Sequence, residues 1–175
     1  LVLLLYIHFP RATVPSIVFY NLHNCAAVHF IEADNSSYLC SNRKDSTYIY
    51  MKNIAETYWK RKKMPIPHLL LSDYEGRNVW SHKGIVHWRG MNICMVTDGY
   101  WRNKSATNLL DIDYMYLCKG YKGEIAPLQK LFHIKRIVLD ASLGDYKLKA
   151  YKEECKTLGL DYIDISEKGS FRILL

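Results

Sequence analysis

The side chains able to do acid–base, nucleophilic or metal chemistry are seven His, five Cys and a scatter of Asp and Glu. Metal-assisted hydrolysis needs several imidazoles and carboxylates converging on one ion. His8, His23, His29, His68, His82, His87 and His133 form neither H-x-H nor H-E-x-x-H. His82 and His87, five residues apart, fall on opposite faces if their segment is one strand. Asp111-Ile112-Asp113 sets two carboxylates on one strand face. With no His nearby in sequence, it reads as a strand-start turn. Asp140-Ala141-Ser142 follows an apolar run, at a strand's C-terminal end, a better place for a site, although an Asp there also caps turns. Cys118-Lys119-Gly120 likewise sets a thiol beside a cation, and no base is identifiable for it. Neither a phosphate-binding glycine loop nor a G-x-S-x-G elbow is present.

The cysteines (Cys25, Cys40, Cys94, Cys118, Cys155) are odd in number and include no C-x-x-C pair. That argues against a zinc ribbon and a dense disulfide framework. Each sits in an apolar context and reads as a small buried hydrophobe. The formal charge of +7 is uneven. Residues 43–63 carry seven cations against two acids, and residues 77–104 carry five against Asp98 alone. Such patches suit a polyanion. Within the first patch, Trp59 could stack on bases while Lys60, Arg61, Lys62 and Lys63 contact phosphate. The competing reading is a helix C-terminus, where cations are favoured by the dipole and Trp59 enters the core.

These residues must be positioned by elements the pattern announces. A chain of 175 residues with 49% apolar and 23% charged types supports one globular domain. No run of about 20 apolar residues occurs. The opening Leu1 to Ile7, with no initiator Met, reads as part of something longer. Ser16–Leu22, Ala26–Ala33 and Tyr38–Ser41 read as a three-strand meander. Met51, Ile54, Ala55, Tyr58 and Trp59 recur at helical spacing over 47–63, and Pro65 and Pro67 end that helix. Short extended pieces follow at His68–Ser72 and Asn92–Thr97, with glycines between them. The C-terminal third alternates: strand 113–118, short helix 125–133, strand 136–140, a helix with Leu148, Tyr151, Cys155 and Leu158 on one face, then two strands joined through Glu167-Lys168-Gly169. Two sheets covered by helices would bury these elements.

Two stretches resemble the C-terminal metallo-β-lactamase-like domain of the ComEC competence proteins, most closely its Bacteroidetes form. Phe19-Tyr20-Asn21-Leu22-His23-Asn24-Cys25-Ala26-Ala27-Val28 has the shape of that family's first hairpin. Residues 111–175 match further: Asp113 to Gly120 is similar to the strand ending in H-H-G, and Ile137-Val138-Leu139-Asp140-Ala141-Ser142 to the next strand. Tyr151 to Leu160 with Glu167-Lys168-Gly169-Ser170-Phe171 resembles the last helix and closing strand. Residues 43–110 match poorly. The resemblance implies an α/β (α+β) fold, a four-layer αββα metallo-β-lactamase-like sandwich, complete or truncated, over residues 16–175. Residues 1–15 would then be a linker or stub following a membrane segment.

The departures bear on chemistry. The family's H-x-H-x-D-H loop has no counterpart here. Its V-G-Q-G-D-A turn reads Leu22-His23-Asn24-Cys25-Ala26, its H-H-G reads Cys118-Lys119-Gly120, and its G-H-P reads Gly144-Asp145-Tyr146. A two-metal hydrolase cannot run with every imidazole ligand replaced. The expectation is a non-catalytic, cofactor-free and metal-free domain at the surface of a cell-membrane protein. It would serve DNA uptake in natural transformation by contacting DNA or supporting the channel. Asn24, Cys25, Cys118, Lys119 and Asp140 would mark the vestigial active-site region. The expected partners are single-stranded DNA, through residues 59–63, and the membrane-embedded channel portion of the same polypeptide. Two alternatives stay open: a hydrolase with ligands relocated to Asp111, Asp113, His133 and Asp140, and a protein-interaction module.

Overall fold

In the computed structural model, the described residues are 14–22, 25–34, 36–41, 49, 53, 56–57, 59–61, 63–70 and 73–175. β-Branched and aromatic runs make two large sheets. The first joins β1 (Ser16–Phe19), β2 (Ala27–Ile31), β3 (Ser37–Ser41), β4 (His68–Leu70) and β14 (Phe171–Leu174) in the order β14-β1-β2-β3-β4. The meander expected from the sequence is β1-β2-β3, antiparallel throughout.

The second sheet has the order β13-β12-β10-β8-β7-β6-β5. Its strands are β5 (Tyr74–Glu75), β6 (Val79–His82), β7 (Ile85–Trp88), β8 (Met91–Val96), β10 (Tyr114–Leu117), β12 (Ile137–Leu139) and β13 (Tyr162–Asp164). β8, β10, β12 and β13 run parallel, so their C-terminal ends share one edge. A small parallel pair, β9 (Leu110–Ile112) with β11 (Phe132–Ile134), lies at their N-terminal end.

Period-2 alternation sorts each strand's side chains between two faces. Ile17, Phe19, Val28 and Phe30 from the first sheet meet Val86, Trp88, Ile93, Tyr116 and Val138 from the second in one core. The second sheet's other face (Cys94, Val96, Met115, Leu117, Ile137, Leu139) packs under α1 (Asp145–Leu158) through Tyr151, Cys155, Leu148 and Leu158. Each such fully buried side chain contributes about 1.5–3 kcal/mol. α1 ends where Gly159 takes φ 65°, with Leu160 N–H bonded to the Cys155 carbonyl at 2.9 Å.

On the far face of the first sheet, Trp59 packs against Leu22, Cys25, Ala27 and Leu39. Residues 49, 53, 56–57 and 59–61 are helical there. The α+β sandwich is therefore layered helix, sheet, sheet, helix. Among the described residues, no helix is long and apolar enough to cross a membrane.

Three readings change. Residues 125–133 are not one helix: a 3₁₀ turn over Ala126–Lys130 gives way to β11, which pairs in parallel with β9 and so needs extended backbone from Phe132 on. The last two strands are not neighbours. A one-turn helix, α2 (Ile165–Lys168), carries the chain from β13 in one sheet to β14 beside β1 in the other. His82 and His87 share a face, because the Lys83-Gly84 turn folds β6 onto β7 and sets Trp80 opposite His87. Residues 1–13, to which most of the expected linker belongs, lie outside the described residues.

Candidate functional site

Parallel strands deliver their C-terminal residues to one edge, and this is where an open α/β sheet places its chemistry. β10 ends in Cys118-Lys119-Gly120, β12 in Asp140-Ala141-Ser142, and β8 in Thr97-Asp98. Gly120 has φ 111°, and a Cβ there would stand 2.3 Å from the Thr97 carbonyl oxygen, so only glycine fits this crossing.

Asp140 is fully buried and accepts hydrogen bonds from the Tyr116 phenol, from the Ser142 hydroxyl and from Ser142 N–H at 3.2 Å. Burial pushes its carboxyl above the usual range, while the Ser142 and Tyr116 hydrogen bonds pull it back. Tyr116 is driven well above an ordinary phenol, by burial first and then by the Asp140 charge. The phenol therefore keeps its proton and donates it to the carboxylate. Cys118 is completely buried, its Sγ–H directed to the Tyr116 carbonyl at 3.4 Å, and burial raises its thiol far above the ordinary value. Lys119 is exposed and meets this group only through its backbone N–H, 3.4 Å from Ser142 Oγ. The thiol-beside-cation reading therefore fails on burial: a thiolate nucleophile needs an electropositive, partly open setting.

The vestigial set is thus only partly assembled. Cys118, Lys119 and Asp140 come together. Cys25 belongs to the outer cluster with Trp59, and Asn24 lies outside the described residues. The five cysteines are buried and none forms a disulfide.

The relocated ligand set does not converge. His133 and Asp111 are register partners on β11 and β9, and Asp113 Oδ1 pairs with Lys135 Nζ at 2.7 Å. Asp113 precedes β10, whereas Asp140 follows β12 level with Cys118. Five residues of strand separate them, about 16 Å at ~3.3 Å per residue. Nor do Asp111 and Asp113 share a strand, since the chain leaves β9 and enters β10 at Asp113. Among the described residues, no three His, Cys, Asp or Glu side chains are grouped to hold a metal ion.

The expected DNA-contacting group also changes. Trp59 is only 3% exposed, and its Nε1–H donates to the Tyr20 hydroxyl at 3.3 Å, so it cannot stack on a base. Trp59 instead faces the first sheet, as the competing helix-terminus reading expected. Lys60 and Arg61 are exposed, and Lys60 pairs with Glu56 at 2.8 Å. Lys63 is exposed at φ 53°, closing the helix with Met64 N–H on the Trp59 carbonyl. Lys62 lies outside the described residues.

Sequence reasoning missed a cavity of about 480 Å³ at the same edge, bounded by Ser41, Asp73, His82, Lys83, Gly84 and Thr97 among others. His82 Nδ1 and Asp73 Oδ2 stand 2.7 Å apart there. Nine residues and a sheet turn separate the two in sequence, so no local spacing announces the pair.

A family model described as the ComEC C-terminal domain matches residues 17–175. No curated protein and no solved structure is detectably similar to the chain.

Proposed function

Starting from a chain that belongs to the family of ComEC C-terminal domains, we propose that it serves competence DNA uptake as a non-catalytic domain that contacts the incoming strand beside the membrane-embedded channel portion of its polypeptide. The observation that carries this reading is the state of the strand-end edge. Asp140 is committed to Tyr116 and Ser142, and a buried thiol stands beside it. The described imidazoles are engaged singly or lie away from Asp140, and they do not converge on one point. His29 bonds Tyr20, His82 bonds Asp73, His87 bonds Asn92, His68 lies tilted against the Tyr74 ring, and His133 lies on β11. A metal hydrolase of metallo-β-lactamase-like fold would need several of them at one point. The layered sandwich and the excess of cations support a scaffold that holds a polyanion.

Equilibrating the purified chain with Zn²⁺ or Mn²⁺, removing free ion and measuring bound metal tests the loss of catalysis. The labelled single strand from the same tube is then run on a denaturing gel. The expected result is metal well below one ion per chain and an intact strand. Stoichiometric metal with strand cleavage would establish a hydrolase instead.

A further inference from the structure

With Trp59 turned inward, the pairing of aromatic ring and cation that suits unpaired DNA must come from elsewhere. It occurs in the second basic stretch, on the outer side of the β6–β7 hairpin and the loop after β8. Trp80 and Tyr100 are each 42% exposed. Lys104 Nζ lies 3.2 Å from the Tyr100 ring centroid, and Lys83 Nζ lies 5.7 Å from it. We infer that single-stranded DNA is held on this surface, with Tyr100 and Trp80 stacking on bases and Lys83 and Lys104 contacting phosphate. This rests on the proposed DNA contact and says where it occurs.

The platform is built rigidly. Tyr100 N–H bonds the Asp98 carboxylate at 2.8 Å, and Arg102 N–H bonds the Gly99 carbonyl at 3.0 Å, closing the loop on itself. Trp101 meets Tyr100 edge-on at 4.8 Å and Phe132 edge-on at 5.1 Å, which anchors the exposed ring to the core beneath. Little ordering remains to be done when a base arrives, and preorganisation of this kind favours binding. A base taking one face of Tyr100 displaces the Lys104 ammonium, which is then free to reach a phosphate.

The hairpin tip supports the assignment. Lys83 occupies the first position of a two-residue turn at φ 48°, where Asn, Asp or Gly are ordinarily favoured. A lysine there presents its charge at the exposed tip of the hairpin. The acids nearby are held by hydrogen bonds, Asp73 to His82 and the Lys83 amide and Asp98 to the Tyr100 amide. Exposed rings favour a single strand over a duplex, because only unpaired bases offer their faces.

The test is fluorescence anisotropy of a labelled oligothymidylate against the purified chain over a range of salt. Tyr100→Ala is expected to weaken binding about tenfold and Tyr100→Phe to stay within about twofold. Trp80→Ala should weaken it several-fold. Lys83→Ala with Lys104→Ala should make the slope of log affinity against log salt shallower by about 1.4. Unchanged thermal melting of each variant separates lost contact from lost fold. If the parent chain binds but these substitutions are silent while Lys60→Ala with Arg61→Ala weakens it, this surface is overturned and DNA contact stands. If the parent chain shows no salt-dependent binding, the DNA contact itself fails. If the substitutions abolish binding to phosphatidylglycerol vesicles and leave oligonucleotide binding intact, the partner is a membrane and the inference is overturned.

Discussion

His29 is fully buried on β2, with Nδ1 2.8 Å from the Tyr20 hydroxyl that also accepts from Trp59. Burial, reinforced by the Arg172 charge, lowers its pKa to about 3. The folded state thus holds it neutral, while the unfolded chain protonates near 6.5. Stability from this residue is intact above pH 6.5 and falls, as acid is added, by about 1.4 kcal/mol per pH unit down to about pH 3. Urea unfolding at several pH values should show that slope, and His29→Gln should flatten it. Buried cysteines were legible from their apolar neighbours. The burial of Trp59 was legible as the competing helix-terminus reading, although helical spacing does not say which sheet will cover it. Asp140 was legible as a strand-end acid, but its capture by Tyr116, 24 residues away, was not.

The hairpins β6–β7 and β7–β8 turn on Lys83-Gly84 and Arg89-Gly90, all four at positive φ. Asn-Gly or Asp-Gly would have announced such turns. Lys-Gly and Arg-Gly announce them weakly, which is why 73–90 reads only as extended pieces. Arg89 has a second task. Its Nε donates to the buried Glu32 at 2.8 Å, and Trp88 Nε1 donates to the same carboxylate at 2.7 Å, tying the end of β2 to the facing sheet. Arg89→Ala removes one donor from a buried carboxylate and is expected to cost about 1–3 kcal/mol, read as a lower denaturation midpoint. An unchanged midpoint would show that the clamp contributes nothing. The apolar β10 and β12 runs and the Gly159 stop were legible because each signal is local. The crossing from β13 to β14 was not, since nothing within residues 162–174 records that β1 needs a partner.

At the level of the molecule, two sheets between helices put the strand ends, the cavity and the aromatic–cation surface on the side of the second sheet's C-terminal edge and its hairpin tip. The strand order and the family match extend over the region 43–110, where the sequence resemblance was weakest. That region supplies β4 to β8 and both hairpins. Its charge was legible, and its rings were not, because their exposure depends on which face of β6 the second sheet buries. In the proposed reading, the +7 charge has a location and a strand-contacting role. Measuring affinity for a single strand as a function of salt tests this most directly. With about three to five phosphates neutralised, log affinity should fall against log salt with a slope of about −2 to −3.5, the strand remaining intact. A slope near zero, or a strand cut during the titration, would contradict a non-catalytic domain that holds DNA.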